Sequence, residues 1–242
     1  MFLPRVQPTH LLHLAWYAKP GLFWTSTENL RWVAASLGLY LAFADSGGRR
    51  AVVAGSCAEY DWSHTELDEA RTPLAPRTLY GEAKRALHTL LERTAAQSGV
   101  ELAWGRVFFL YGPHEAEGRL VRDVVQALLA GREARCSEGS QQRDFMHVAD
   151  AGRAFAALLD SDVTGPVNVA SGECVPVRTI VEAIGSLTGG PGLIRYGTAN
   201  RPDEPPRLAA SVDLLRRTGF ESMYDLRSGL AQTVDWWRAQ GS

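Results

Sequence analysis

Ala51-Val-Val-Ala-Gly55 is a run of five small or apolar residues with no polar alternation, the pattern of a parallel strand covered on both faces. Its neighbours on either side decide the fold. Upstream, His10-Leu-Leu-His-Leu-Ala-Trp16 has strand length and Lys19-Pro20-Gly21 closes it with a loop. Thr25-Ser-Thr27 then offers an N-cap to a helix whose apolar positions Leu30, Val33, Ala34, Leu37 and Leu41 recur at three and four, and Ser46-Gly-Gly48 ends it. Downstream, a polar connection from Asp61 to Pro76 leads into a helical pattern from Tyr80 to Ser98, with Ala83, Leu87, Leu90 and Leu91 on one face. Glu101-Leu-Ala-Trp-Gly-Arg-Val-Phe-Phe109 reads as the next strand. Strand, helix, strand, helix, strand implies right-handed crossovers and an α/β fold on a parallel sheet.

Beyond Tyr111-Gly-Pro113 the pattern predicts a helix over 121–129, a strand over 144–148, a helix over 151–159, a strand over 166–170 and a helix over 177–187. A Pro-rich loop over 201–206 and two short helical segments ending at Trp236-Trp237 follow. At 242 residues the chain can bury one large core or two small ones without disulfide or structural metal. Its 25 basic and 27 acidic side chains, a formal charge of -2, argue against a nucleic-acid or membrane-surface partner. No apolar run approaches the ~18 residues of a membrane span, and Met1-Phe-Leu-Pro-Arg5 lacks the marks of a secretory signal. Cys57, Cys136 and Cys174 are odd in number, far apart and without CxxC spacing. They predict neither a disulfide framework nor a zinc site, and a reducing, cytoplasmic location.

Of the 25 basic residues only Lys19 and Lys84 are lysines. That scarcity gives weight to Tyr80-Gly-Glu-Ala-Lys84, where a tyrosine and a lysine four apart share one helix face, about 5–6 Å apart at Cβ. An ammonium there is expected to lower the phenol toward neutrality and make it a usable acid/base. Taken alone, such a pair is more often a surface contact. Ser56 sits at the carboxyl end of the strand 51–55, on the rim where open parallel sheets bind ligands; by itself it is also an ordinary turn serine. Cys57 beside it lacks the His/Asn pattern of a thiolate nucleophile. His114 is a candidate further acid/base, or an exposed loop histidine.

In order, Ser56 with Tyr60, Pro76 with Tyr80 and Lys84, Arg106-Val-Phe-Phe-Leu-Tyr-Gly-Pro113, Arg143-Asp-Phe-Met-His-Val-Ala-Asp150 and Gly165-Pro-Val-Asn-Val-Ala-Ser-Gly172 cover almost the whole chain. Together they resemble the extended short-chain dehydrogenase/reductase superfamily, in its NAD-dependent epimerase/dehydratase branch. The resemblance implies a Rossmann-like parallel sheet with a smaller C-terminal substrate domain. Residues 1–112 would form part of an NAD-binding domain and 113–242 mainly a substrate-binding domain, with 143–171 returning to the Rossmann sheet. It further implies a nucleotide-sugar epimerase or 4-ketoreductase using NAD or NADP. In that role Ser56 binds the carbonyl, Tyr80 is the general acid/base, and Lys84 tunes the tyrosine and contacts the nicotinamide ribose. Leu14, Ala15 and Trp16 correspond to the stretch lying along the cofactor, with Asn29 near it. Arg143 and Arg201 correspond to arginines that hold the nucleotide diphosphate, a role suited to a bidentate guanidinium. A homodimer through the helices containing Leu30 to Leu41 and Leu87 to Leu91 is also implied.

The sequence departs from the family pattern in several places. The glycine-rich GxxGxxG turn that carries the pyrophosphate at a helix N-terminus occurs nowhere in it. The chain is expected to begin at the family's fourth strand, short by roughly 60 residues at about 30 per βαβ unit. Impaired NAD binding and an apolar sheet edge over Leu11 to Ala15 are the expected consequences. The alternative expectation is a truncated relative, working as a nucleotide-sugar-binding or protein-interaction module. Phe109 replaces an asparagine that contacts the sugar nucleotide, and Asp61 a glycine. Cys57 and Ala58 stand where the dehydratases place Asp-Glu, which argues against 4,6-dehydration.

Overall fold

Successive side chains of Arg50–Ser56 enter two different cores, as the two-residue period of a strand requires. Ala51 and Val53 pack with Tyr40, Phe43, Leu87, Leu91 and Trp104, whereas Val52 and Ala54 pack with Ala154, Phe155, Leu158 and Val167. Each large side chain fully buried there contributes about 1.5–3 kcal/mol. The computed structural model describes residues 3–197 and 204–241. Its strands are β1 (His10–His13), β2 (Arg50–Ser56), β3 (Glu66–Leu67), β4 (Glu101–Val107), β5 (Phe109–Tyr111), β6 (Ala134–Cys136), β7 (Gln142–His147), β8 (Gly165–Val169), β9 (Cys174–Pro176), β10 (Ile194–Tyr196) and β11 (Arg207–Ala210). Its α-helices are α1 (Leu3–Val6), α2 (Glu28–Asp45), α3 (Leu79–Ser98), α4 (Leu120–Leu129), α5 (Val148–Asp160), α6 (Val177–Thr188), α7 (Asp213–Arg216) and α8 (Leu226–Gln240).

The fold is α/β. β1, β2, β4 and β8 form a parallel sheet in that order, with α2 and α3 on one face and α5 on the other. α5 lies close because Gly105 has no side chain: a Cβ there would stand 2.5 Å from the Phe155 ring. Arg50, at the start of β2, is buried and donates to the carbonyls of Leu158, Leu159 and Val163. A cation thereby caps the C-terminal end of α5.

A second sheet runs β3, β11, β7, β5, with β9 antiparallel on β7. Beyond it, β6 and β10 pair in parallel, and α4, α6 and α8 close a core around Val125, Leu128, Ile180, Ile184 and Leu230. Within 143–171, β8 belongs to the large sheet and β7 to the small one.

Three local differences from the sequence pattern matter for the site. The strand expected over 101–109 is two strands in two sheets. β4 ends at Val107, and the Phe108 N–H makes a last bond to the Val169 carbonyl at 3.1 Å. The Phe108 ring then buries itself among Cys57, Tyr60, Leu67 and Leu208, and β5 pairs with β7. β1 stops at His13, short of Trp16, because the Trp16 ring turns toward α3. β11 occupies the start of the stretch read as helical; its Arg-Leu-Ala-Ala carries little strand signal, and its place between β3 and β7 makes it one. Among the described residues no helix is long and apolar enough to cross a membrane.

Candidate active site

Ser56 ends β2, and a single 3-10 turn over Cys57–Glu59 follows it. The serine caps that turn: its Oγ accepts from Ala58 N at 3.2 Å while its own N–H donates to Glu59 Oε1 at 2.8 Å, a capping box. The first turn of α3 packs against this one. Thr78 Oγ1 caps α3 by accepting from Gly81 N, and a Cβ at Gly81 would stand 2.4 Å from the Ala58 carbonyl. Glycine there lets Tyr80 approach Ser56.

Tyr80 is wedged edge-on against Phe23 and Trp24, with ring centroids 4.9 and 5.7 Å away. Its phenol is pushed up to about 12, chiefly by burial; hydrogen bonding from the Ser56 side chain and the Arg119 charge pull it down, and Cys57 and Glu59 push it further up. The lowered phenol expected from the Tyr80–Lys84 spacing is therefore absent, because the lysine faces elsewhere. Lys84 Nζ donates to the Ala54 carbonyl at 2.7 Å and lies 3.8 Å from the centre of the Trp16 ring. Burial lowers this ammonium to about 7, against an upward pull from Glu59.

Trp16 is itself anchored, since its Nε1–H donates to Asn29 Oδ1 at 2.8 Å, and Asn29 Nδ2 donates to the carbonyls of Phe23 and Ser26. Asn29 is fully buried and spends its side chain on this turn. Leu14 and Ala15 are exposed. The structure thus brings Ser56 and Tyr80 together, sets Lys84 behind Trp16, and leaves Leu14 and Ala15 outside the group.

Ser56 and Tyr80 open on a cavity of about 450 Å³ walled by Phe23, Trp24, Trp62 and Phe108, with Glu115 and Arg119 as its charged side chains. Burial pushes the Glu115 carboxyl up to about 7, although it accepts from Arg122 N at 3.0 Å. Phe109, Leu120 and Phe145 also wall a second cavity of about 630 Å³, which contains Arg143, Gln141 and Glu204. The two cavities are neighbours that share these three residues, one reaching the end of the large sheet at Ser56 and Val107 and the other the small sheet at Arg143. Arg143 is 3% exposed; it donates to the Gln142 carbonyl at 2.7 Å and to Glu204 at 3.0 Å, with its guanidinium 5.6 Å from the Phe109 ring centre. Phe109, where the family pattern has an asparagine, is an apolar wall common to both cavities. Arg201 lies outside the described residues. His114 lies tilted against Trp236, ring centroids 4.4 Å apart, and is not part of the Ser56–Tyr80 cavity wall. The Cys57 thiol is pushed up to about 12 by burial, so it holds its proton. Among the described residues no cluster has the make-up of a metal site.

Trp24, Glu59, Glu115 and Arg119 are the residues that sequence reasoning misses. For Glu59 a signal exists: Ser56-Cys-Ala-Glu59 has capping-box spacing, and Arg106, its partner at 3.1 Å, is the one charge within the run Leu102–Val107. Tested against a dinucleotide, the residues present fit at one end. Tyr80 and Ser56 face a cavity, Lys84 lies under a tryptophan that would have to move, and the sequence holds no GxxGxxG turn for the pyrophosphate.

Residues 1–170 match the sequence model described as "NAD dependent epimerase/dehydratase family". UDP-glucuronic acid decarboxylase 1 of Xenopus tropicalis is 28% identical over 187 residues, covering 76% of this chain and 43% of that protein. MoeE5, solved in complex with UDP-glucuronic acid and NAD, is 31% identical with a TM-score of 0.83 over 96% of this chain and 80% of that one. UDP-N-acetylglucosamine 4-epimerase from Methanobrevibacter ruminantium M1, in complex with UDP-N-acetylmuramic acid, reaches a TM-score of 0.89 at 22% identity, over 98% of this chain and 80% of that one; it shows the shared fold. The chain spans less than half the length of the curated relatives it matches, 43% of the Xenopus protein.

Proposed function

The chain belongs to the NAD dependent epimerase/dehydratase family, and on that premise we propose that it is a nucleotide-sugar enzyme, an NAD(P)-dependent epimerase or 4-ketoreductase. Two adjoining cavities carry this reading: Ser56 and Tyr80 line one, Arg143 the other, and Phe109, Leu120 and Phe145 wall both. A nucleotide sugar has the same layout, a hydroxyl-bearing ring at one end of a diphosphate. The Arg143 guanidinium, now held by Glu204, would meet diphosphate oxygens in its place. The Ser56 hydroxyl would orient a sugar carbonyl or carbinol, and Tyr80 would give or take its proton.

Bound NAD(P) supplies the hydride donor or acceptor. Tyr80 and Lys84 are the residues on its side, with Lys84 reaching it only once Trp16 swings away. Cofactor binding by these 242 residues is therefore expected to be weak. No carboxylate follows Ser56 on the cavity wall, where Cys57 and Ala58 lie, which speaks for epimerisation or reduction over 4,6-dehydration. MoeE5 was solved with UDP-glucuronic acid, which makes that compound the first ligand to try.

A second reading, a catalytically impaired nucleotide-sugar-binding or interaction module, is favoured by the phenol held near 12 and the lysine turned from it. We further read 1–112 as the cofactor side and 113–242 as mainly the substrate side, in a cytoplasmic protein with three free thiols. Leu30 and Leu41 on α2 and Leu90 on α3, each about half exposed, suit a homodimer face.

Calorimetric titration with UDP-glucuronic acid and with UDP-glucose tests the substrate class, and silence with both overturns it. Turnover of the bound sugar on adding NAD separates enzyme from binder. Tight NAD binding without added chain would contradict the incomplete cofactor site.

A further inference from the structure

We propose that Glu59 is a positioning residue for Ser56, its buried carboxylate tying the serine's backbone to β4 so that the hydroxyl stays at the cavity wall; this rests on Ser56 acting on the sugar. Glu59 is fully buried and both its oxygens are engaged. They accept from Ser56 N at 2.8 Å, from Trp104 Nε1 at 2.9 and 3.1 Å, and from Arg106 Nε at 3.1 Å. Arg106 in turn donates to Tyr60 Oη at 3.0 Å, Tyr60 donates to Asn168 Oδ1 at 2.8 Å, and Asn168 donates to the carbonyls of Leu67 and Ser211. One carboxylate therefore joins the turn after β2 to β4, and through Arg106 and Tyr60 to β8.

The turn needs such a tie. Ser56 pairs with Val107 as the last rung of β2 on β4, and the chain then leaves the sheet into a single 3-10 turn, which has little rigidity of its own. The network is built against the strand: a Cβ at Gly55 would meet Trp104 Nε1 at 2.1 Å and Glu59 Oε1 at 2.6 Å. A buried ion pair is no better for stability than two well-packed apolar side chains of similar volume. What apolar side chains lack is an acceptor for the Ser56 N–H.

Two double variants of the 242-residue chain separate these roles, because both replace the ion pair by an uncharged pair. Glu59→Leu with Arg106→Met removes the acceptor; Glu59→Gln with Arg106→Met keeps one oxygen for Ser56. The readouts are hydrogen exchange at the Ser56 amide, and kcat and KM for UDP-glucuronic acid with NAD added. For the Leu variant we expect exchange at Ser56 at least about tenfold faster and kcat lower by about 100-fold at unchanged KM, as a displaced reacting group predicts. The Gln variant recovers much of both. If the Leu variant keeps Ser56 protected and kcat intact, Glu59 merely balances Arg106 and the proposal is wrong. A wild-type chain without turnover would instead sink the enzymatic reading, while the exchange comparison still decides whether Glu59 holds Ser56.

Discussion

Arg106–Glu59 in the large-sheet half and Arg143–Glu204 in the small-sheet half are ion pairs of almost equal length, 3.1 and 3.0 Å, each with a buried arginine. Their carboxylates differ. Glu59 has a side chain 0% exposed and is held by tryptophan and backbone donors as well as by arginine, whereas the Glu204 side chain is 28% exposed and lies on the cavity wall. A carboxylate sealed on every side has no ligand to yield to, so the first pair works as scaffold. One at a cavity wall is open to displacement by another anion, the exchange that the proposed diphosphate role of Arg143 requires. The same chemistry is sealed in one half and open to solvent in the other, and under the proposed function that difference separates scaffold from recognition.

The largest effect is expected in the Ser56–Tyr80 cavity. Tyr80→Phe should lower kcat by about 10²–10⁴-fold while leaving the circular dichroism of the fold unchanged, and undiminished turnover would remove the tyrosine from the mechanism. Next comes the scaffold pair. Arg106→Met strands a buried carboxylate and should cost about 3–5 kcal/mol in urea unfolding; a loss below about 1 kcal/mol would erase the contrast between the two pairs. Arg143→Ala should leave stability less affected, because Glu204 retains solvent, yet weaken nucleotide-sugar binding by about 10- to 100-fold. Equal affinity in calorimetry would move the diphosphate end elsewhere.

The smallest effect is a pH slope. Burial holds the Lys84 ammonium near 7 in the folded chain against 10.5 when exposed. Between those values the unfolded chain binds a proton that the folded chain lacks, so the penalty for burying this group is full below about 7 and lifts as pH rises toward 10.5. Lys84→Met should flatten the rise in unfolding free energy between about pH 7 and 9, by no more than about 1.4 kcal/mol per pH unit. An unchanged slope would assign it to another group.

Much of the large sheet is legible along the chain. Ala51 to Gly55 announces a two-sided strand, and the apolar spacing of 30–41 and 83–91 announces helices, because these periods repeat within a few residues. The small sheet is harder to read. β3 has two residues and β11 four, and each exists only through partners distant in sequence. The break at Phe108 is invisible locally, since 107–109 is apolar throughout and only the pull of two different sheets divides it. For the site, Ser56 and Tyr80 can be picked out from strand-end and helix positions. Trp24, Glu115 and Arg119 lie on loops or at a helix start with no pattern to mark them.

By itself the sequence determined the order of strands and helices in the large sheet, the motif series that places the chain in its family, and the presence of a tyrosine and lysine on one helix face. Helical spacing sets which face a residue shares, a matter of a few bonds. The tertiary structure alone decided what those residues do with that placement. Lys84 turns to Ala54 under Trp16, Tyr80 is held near 12 instead of near neutrality, and Glu59 vanishes into a network spanning three strands. Desolvation and charge pairing depend on everything packed around a group, from segments a hundred residues apart. Spacing along the chain carries no record of that.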